Sequence, residues 1–390
     1  MNKKEIAEIR RHFTPNNCTA TKIWGCYVDH EKNKKFETKE AFLSLPEEEE
    51  FKYFDIFKRT LGGTLGKNLL NLEFPLAQEM EGGTQEFLYR LRNTGLDNED
   101  LVHEFFDKII ENFDYAENYY ITLTHSVYDV PGKTSDSLDL DDASEEVYTY
   151  LLCSICPVKM SKACLSYNAE TNCMEDHIRD WLVEMPITGF LFPAFNDRNM
   201  DIHNLLYYSK KSDELDAVIT EEVLGCQLPL PAKSQKETFN NILEESLGLD
   251  CDYEVVKTIH ENLNQMLAET SEEPEPLALA KEDMSHLLMK SGVEEKEIET
   301  FETRFDETVG EDQCLMAANI SSPKKFEVAT PDVKVTVNPQ RTDLVETKII
   351  DGVPYLMIEI NDLVEVNGIQ VVSELASSGS SENSGETAAE

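Results

Sequence analysis

The spacing of apolar and polar positions changes period along this chain, and each change predicts a different kind of element. Residues 19–29 are β-branched and aromatic and predict a strand, with the polar cluster at 29–33 as its turn. Pro46, followed by four glutamates and then Phe51, Phe54, Ile56 and Phe57, predicts a helix. Proline suits a first turn, and acids favour the positive end of the helix dipole. Leu101, Val102, Phe105, Phe106, Ile109 and Ile110 recur at helical spacing over 99–113. The stretches 119–128 and 147–156 read as two paired strands, with the polar stretch 132–144 between them as a surface loop. A buried strand at 189–195 and a short helix at 201–210 follow. Residues 1–228 therefore read as an α+β or mixed α/β domain.

From about residue 233 the period is helical. Ser234 and Glu237 have capping-box spacing, and Phe239, Ile242, Leu243 and Leu247 make one apolar face that ends at Gly248. Val255, Val256, Ile259, Leu263, Met266 and Leu267 make the next face, which the pattern pairs with the first as a hairpin. An acidic, proline-containing linker at 272–276 precedes helices at 281–290 and 294–309, so residues 229–312 read as a helical segment. Past Pro323 come five short β runs at 326–328, 333–337, 344–350, 355–360 and 364–372. Turn signals at Asn338-Pro339, Asp351-Gly352 and Asn367-Gly368 divide them. The expectation is a small antiparallel β-sheet domain over 323–373, then an acidic Ser/Gly-rich disordered tail at 374–390. The overall class is α+β.

Charge narrows the choice of partner. The chain has 76 acidic and 35 basic residues among 390, a formal net charge of −41. Such a surface repels phosphate backbones and anionic lipid, which argues against direct nucleic-acid binding. No run of roughly 18 apolar residues suits a membrane span, and the first residues are charged with no apolar stretch behind them. These features predict a cytoplasmic protein. Nine irregularly spaced cysteines fit reduced thiols better than a disulfide framework.

Several residue sets carry candidate chemistry. Cys153 and Cys156, with Cys164, Cys173 and His177 downstream, have the residue types of a tetrahedral zinc site. Against that, residues three apart in a strand point to opposite faces. Asp332, followed by Glu346 and Lys348, matches the spacing of a metal-dependent nuclease core, in which the acids hold Mg²⁺ and the lysine orients water. The alternative is a solvated hairpin face carrying a Glu–Lys pair. Asp197, Asp201 and His203 follow a buried strand, where sites often lie. Asp201 and His203 can serve as metal ligands, or His203 as a base assisted by Asp197. The alternative there is a capped helix start. His125, among aromatic positions, fits a satisfied core imidazole better than a ligand. Gly62 to Asn68 has the composition of a phosphate-binding loop but fails its spacing. No motif asks for a cofactor.

Five strings, 71–76, 127–135, 152–158, 190–198 and 331–339, together resemble the bacterial domain-of-unknown-function family 4317. The resemblance covers nearly the whole chain except the tail and implies no activity or catalytic residue. The residues themselves favour a non-catalytic, acidic protein-binding or regulatory module whose partner is another protein, a basic one suiting the charge. The second class is a metal-dependent hydrolase or nuclease.

Overall fold

The computed structural model describes residues 1–133, 139–311, 313–322, 324–360 and 364–371. The tail expected at 374–390, and residues 134–138 of the loop expected at 132–144, lie outside the described residues; the rest of that loop, 132–133 and 139–144, is strand instead, a continuation of the two long strands it was expected to separate. The chain is α+β, with one large antiparallel sheet, a helical segment and several two-stranded sheets.

The first elements are α1 (Lys3–Arg11), β1 (Ala20–Val28), β2 (Lys34–Ala41), α2 (Glu47–Thr60), β3 (Leu69–Glu73), α3 (Thr84–Asn93) and α4 (Glu99–Asn112). The long strands β4 (Asn118–Lys133) and β5 (Asp139–Met160) follow, then β6 (Leu165–Asn168), β7 (Cys173–Asp176) and β8 (Trp181–Val183). Last come β9 (Thr188–Phe192), β10 (Ala194–Asn196), β11 (Asn199–Asp201) and β12 (Asn204–Ser209). The main sheet runs β2-β1-β4-β5-β9-β12-β3, and β8 adds to the far end of β5 to make eight strands.

Helices cover both faces of this sheet. On one face Leu70, Leu72, Leu123, Cys153 and Tyr207 pack against the apolar sides of α3 and α4. On the other, Leu69, Tyr150, Leu152, Cys156 and Tyr208 pack against α1 and α2. Interior strands buried on both faces read as continuous apolar runs rather than alternating ones. That is why β12 replaces the helix expected at 201–210: Leu205, Leu206, Tyr207 and Tyr208 are all buried, pointing alternately into the two cores. The two edges differ in kind. At β2, Lys34, Lys35, Glu37, Lys39 and Glu40 guard the edge with charge. At β3 the sequence is Leu69-Leu70-Asn71-Leu72-Glu73, with no lysine.

The helical segment comprises α5 (Ala232–Leu247), α6 (Tyr253–Glu269), α7 (Lys281–Lys290), α8 (Glu295–Thr308) and α9 (Ala317–Ile320). Its own apolar cluster runs from Phe239 to Ile320, past residue 312. Two local expectations change. Helix α5 begins after Pro231, so Ser234 lies inside the helix and forms no capping box. The α5 helix packs on α8 and α9 rather than pairing with α6 as a hairpin. The last β runs pair within three separate two-stranded sheets, Phe326–Ala329 with Lys334–Val337, Val345–Ile350 with Val353–Ile358, and Val364–Val366 with Ile369–Val371. Of their described residues only Val345 is buried, too little apolar cover to fuse the pairs into one sheet. Tyr253 of α6 donates to the Val345 carbonyl at 3.2 Å, tying the middle pair to the helices. Among the described residues no helix is long and apolar enough to cross a membrane.

Candidate functional site: a cleft along the open sheet edge

A cleft of about 1090 Å³ separates the β3 edge from the helical segment. One wall is β3 with Phe74, Pro75 and Leu76, and the facing wall is the Leu228-Pro229-Leu230-Pro231 run that leads into α5. Among the described residues, the charged and titratable side chains lining it are Glu73, Glu79, His203 and Cys314, with no lysine or arginine.

The backbone of β3 is half unused. In an antiparallel ladder successive residues direct their N–H and C=O groups alternately to the two sides. Phe74 N–H donates to the His203 carbonyl at 2.9 Å, and Ser209 N–H to the Asn68 carbonyl at 2.9 Å. Residues 68, 70, 72 and 74 therefore face β12, and 69, 71 and 73 face outward. Leu69 is satisfied there, since its N–H donates to Thr64 at 3.2 Å and its carbonyl accepts from Gly66 at 2.8 Å. Asn71 and Glu73 direct their backbone groups into the cleft, where among the described residues no strand pairs with them.

Polar contacts fix the rim. Asp201 accepts from Asn196 Nδ2 at 2.6 Å, Asn204 Nδ2 at 2.8 Å and the His203 N–H at 3.0 Å. Burial works to raise this carboxyl, but the hydrogen bonds outweigh it and hold it below the usual carboxylate range. The His203 Nδ1 lies 2.7 Å from Glu79 Oε1, and that contact raises the imidazole above its ordinary value. Asn71 Nδ2 donates to the Met1 carbonyl at 2.9 Å, and the Met1 ammonium donates to Asn71 Oδ1 at 3.0 Å and to Asn196 Oδ1.

The candidate residues are dispersed. Asp197 and Arg198 form the two-residue loop of the β10–β11 hairpin, with φ of 51° and 58°, the left-handed backbone such a loop needs. This corrects the expected helix start, and His203 has Glu79, not Asp197, as its carboxylate. Asp332 lies in the turn between Phe326–Ala329 and Lys334–Val337, whereas Glu346 and Lys348 are on the next pair, 3.7 Å apart and exposed. The two pairs belong to separate sheets, so these residues do not form the adjacent-strand core a nuclease requires.

Cys153 points into the α3/α4 core and Cys156 into the α1/α2 core, on opposite faces of the sheet, and burial pushes both thiols up. Cys164, Cys173 and His177 lie out on the β6–β7 hairpin, where His177 N–H donates to the Cys164 carbonyl at 2.9 Å. Three ligands on a hairpin cannot join thiols buried on opposite sides of a sheet. Among the described residues, no group of three or more His, Cys, Asp or Glu side chains is placed to hold a metal ion. His125 is buried, 2.7 Å from Thr21 Oγ1, and burial pushes it down to about 4. Gly62 to Asn68 is the connection from α2 to β3. The cleft's own residues, Asn71, Glu73 and Glu79, had no local signal. They meet because the sheet ends there.

The fold and the cleft together define an α+β protein with an open, acid-lined sheet edge. The chain belongs to the family described as Domain of unknown function (DUF4317), whose model matches residues 1–369. No curated protein and no solved structure matches it.

Proposed function

We propose that this is a non-catalytic protein-binding module of the cytoplasm that recognises a basic partner. The observation that carries the reading is the cleft at β3, large enough for a peptide and furnished with the Glu73 and Glu79 carboxylates, the second paired with His203, but among the described residues with no lysine or arginine. Glu73 is exposed and Glu79 is partly so. A net charge of −41 adds a long-range field of the same sign. Together they attract lysine and arginine and repel acidic chains, most strongly at low salt.

The test is selection from a displayed random peptide library on the full chain, repeated with the Glu73→Gln, Glu79→Gln double variant. Peptides enriched in lysine and arginine, whose binding weakens with salt and with the double substitution, are the expected result. Enrichment of neutral or acidic peptides, or of none, removes the reading.

A further inference from the structure

We propose that the partner segment binds as an added β-strand on the free edge of β3, with lysine or arginine alternating with apolar residues along it. This rests on the basic-partner reading above and specifies its geometry. The backbone supplies the first part of the argument. Asn71 and Glu73 each present one N–H and one C=O toward the cleft, separated by the two-residue repeat that an extended chain matches. Leu69 shows that this edge accepts such bonds, because the Thr64–Gly66 backbone already occupies its outward groups.

The side chains supply the alternation. Residues opposite one another in neighbouring strands share a face. The Asn71 and Glu73 side chains lie on the α1 side, where Asn71 meets Met1. Leu70, Leu72 and Phe74 lie on the α3/α4 side, with Leu215 and Leu228 beside them. An incoming strand therefore sets the residue opposite Glu73 beside a carboxylate and the intervening residues beside leucines. Basic side chains suit the first and apolar ones the second. The contrast with β2 supports an edge meant to be paired, since its lysines are the usual guard against strand addition and β3 carries none.

The experiment measures fluorescence anisotropy of a labelled peptide of alternating lysine and valine against the full chain. It is repeated with the same peptide N-methylated on every second residue, in both registers, and with a glutamate–valine control. Strand addition predicts that the lysine–valine peptide binds, the control does not, and methylation in one register weakens binding about tenfold, the loss of roughly two backbone hydrogen bonds. Glu73→Pro, which removes the outward N–H and the carboxylate but no bond to β12, weakens binding more than Glu73→Gln. If Glu73→Pro fails to fold, the methylated peptides still decide. Equal binding of both methylated registers overturns strand addition while leaving the basic-partner reading intact. No binding by the lysine–valine peptide overturns both.

Discussion

Arg198 grips Glu8 with two nitrogens, Nη2 at 2.8 Å from Oε1 and Nε at 3.2 Å from Oε2, joining residues 190 positions apart. The contact fastens the β10–β11 loop to α1. Glu8 also accepts the Tyr128 hydroxyl at 2.8 Å, so one carboxylate ties helix, hairpin and central strand. Both partners are about four-fifths buried at the side chain, 20% and 21% exposed, which shields the pair from solvent better than most surface pairs.

Arg198→Ala is therefore expected to destabilise the chain by about 1–2 kcal/mol, through loss of a forked, charge-assisted contact. Arg198→Lys keeps the charge but not the fork and recovers only part of it. Urea unfolding followed by circular dichroism checks both, and an unchanged midpoint for Arg198→Ala contradicts the role.

The His203 imidazole titrates above the ordinary histidine value because Glu79 holds its proton. Its contribution to stability is complete below the unfolded value of about 6.5 and is lost as pH rises through the higher folded value. Glu79→Gln brings the titration back toward the ordinary value. An NMR titration of the imidazole measures this directly, and a midpoint indifferent to that substitution refutes the pairing.

His125 works in the other direction. Burial holds it neutral down to about 4, so stability from this site is present above about 6.5 and lost as pH falls toward the folded value. Between pH 7 and about 5, His125→Gln is expected to lose about 1–2 kcal/mol less stability than the parent. Parallel pH-dependent melts, compared as a difference, separate this from the titration of the many carboxylates.

Gly189 of β9 is closed in by the neighbouring strand and by the close approach of helix α2: an added Cβ runs into the Cys153 carbonyl of β5 and lies 2.7 Å from Thr60 Cγ2. The same approach lets Thr60 Oγ1 reach Ser154 Oγ at 2.6 Å. Gly189→Ala pushes on the β5 backbone and on helix α2 at once, at an expected cost of about 1–3 kcal/mol. A variant with unaltered stability shows that the layers have slack the structure denies.

What the sequence discloses depends on how local the determinant is. Helices α2 and α4 and the β4–β5 pair are set by spacing within their own segments, and all were legible. The Cys153/Cys156 geometry was legible too, because strand alternation alone separates residues three apart. Strand β2 leaves no pattern in the sequence because an edge strand carries polar residues on both sides. Strand β12 reads as a helix in the sequence because four consecutive buried residues have no period of their own. The cleft was invisible in principle. Its walls come from residues near 70, 203, 230 and 315, brought together only when β3 ends the sheet and α5 begins beside it.

The unlike margins of the sheet also limit assembly. A visiting strand fills the open β3 edge of the main sheet and turns its own outer margin toward the Pro229–Pro231 wall, where two prolines have no amide hydrogens to give. The opposite margin is fenced by ammonium groups. Growth at this edge of the main sheet therefore stops after one guest, and the open ladder does not extend into a fibre from β3.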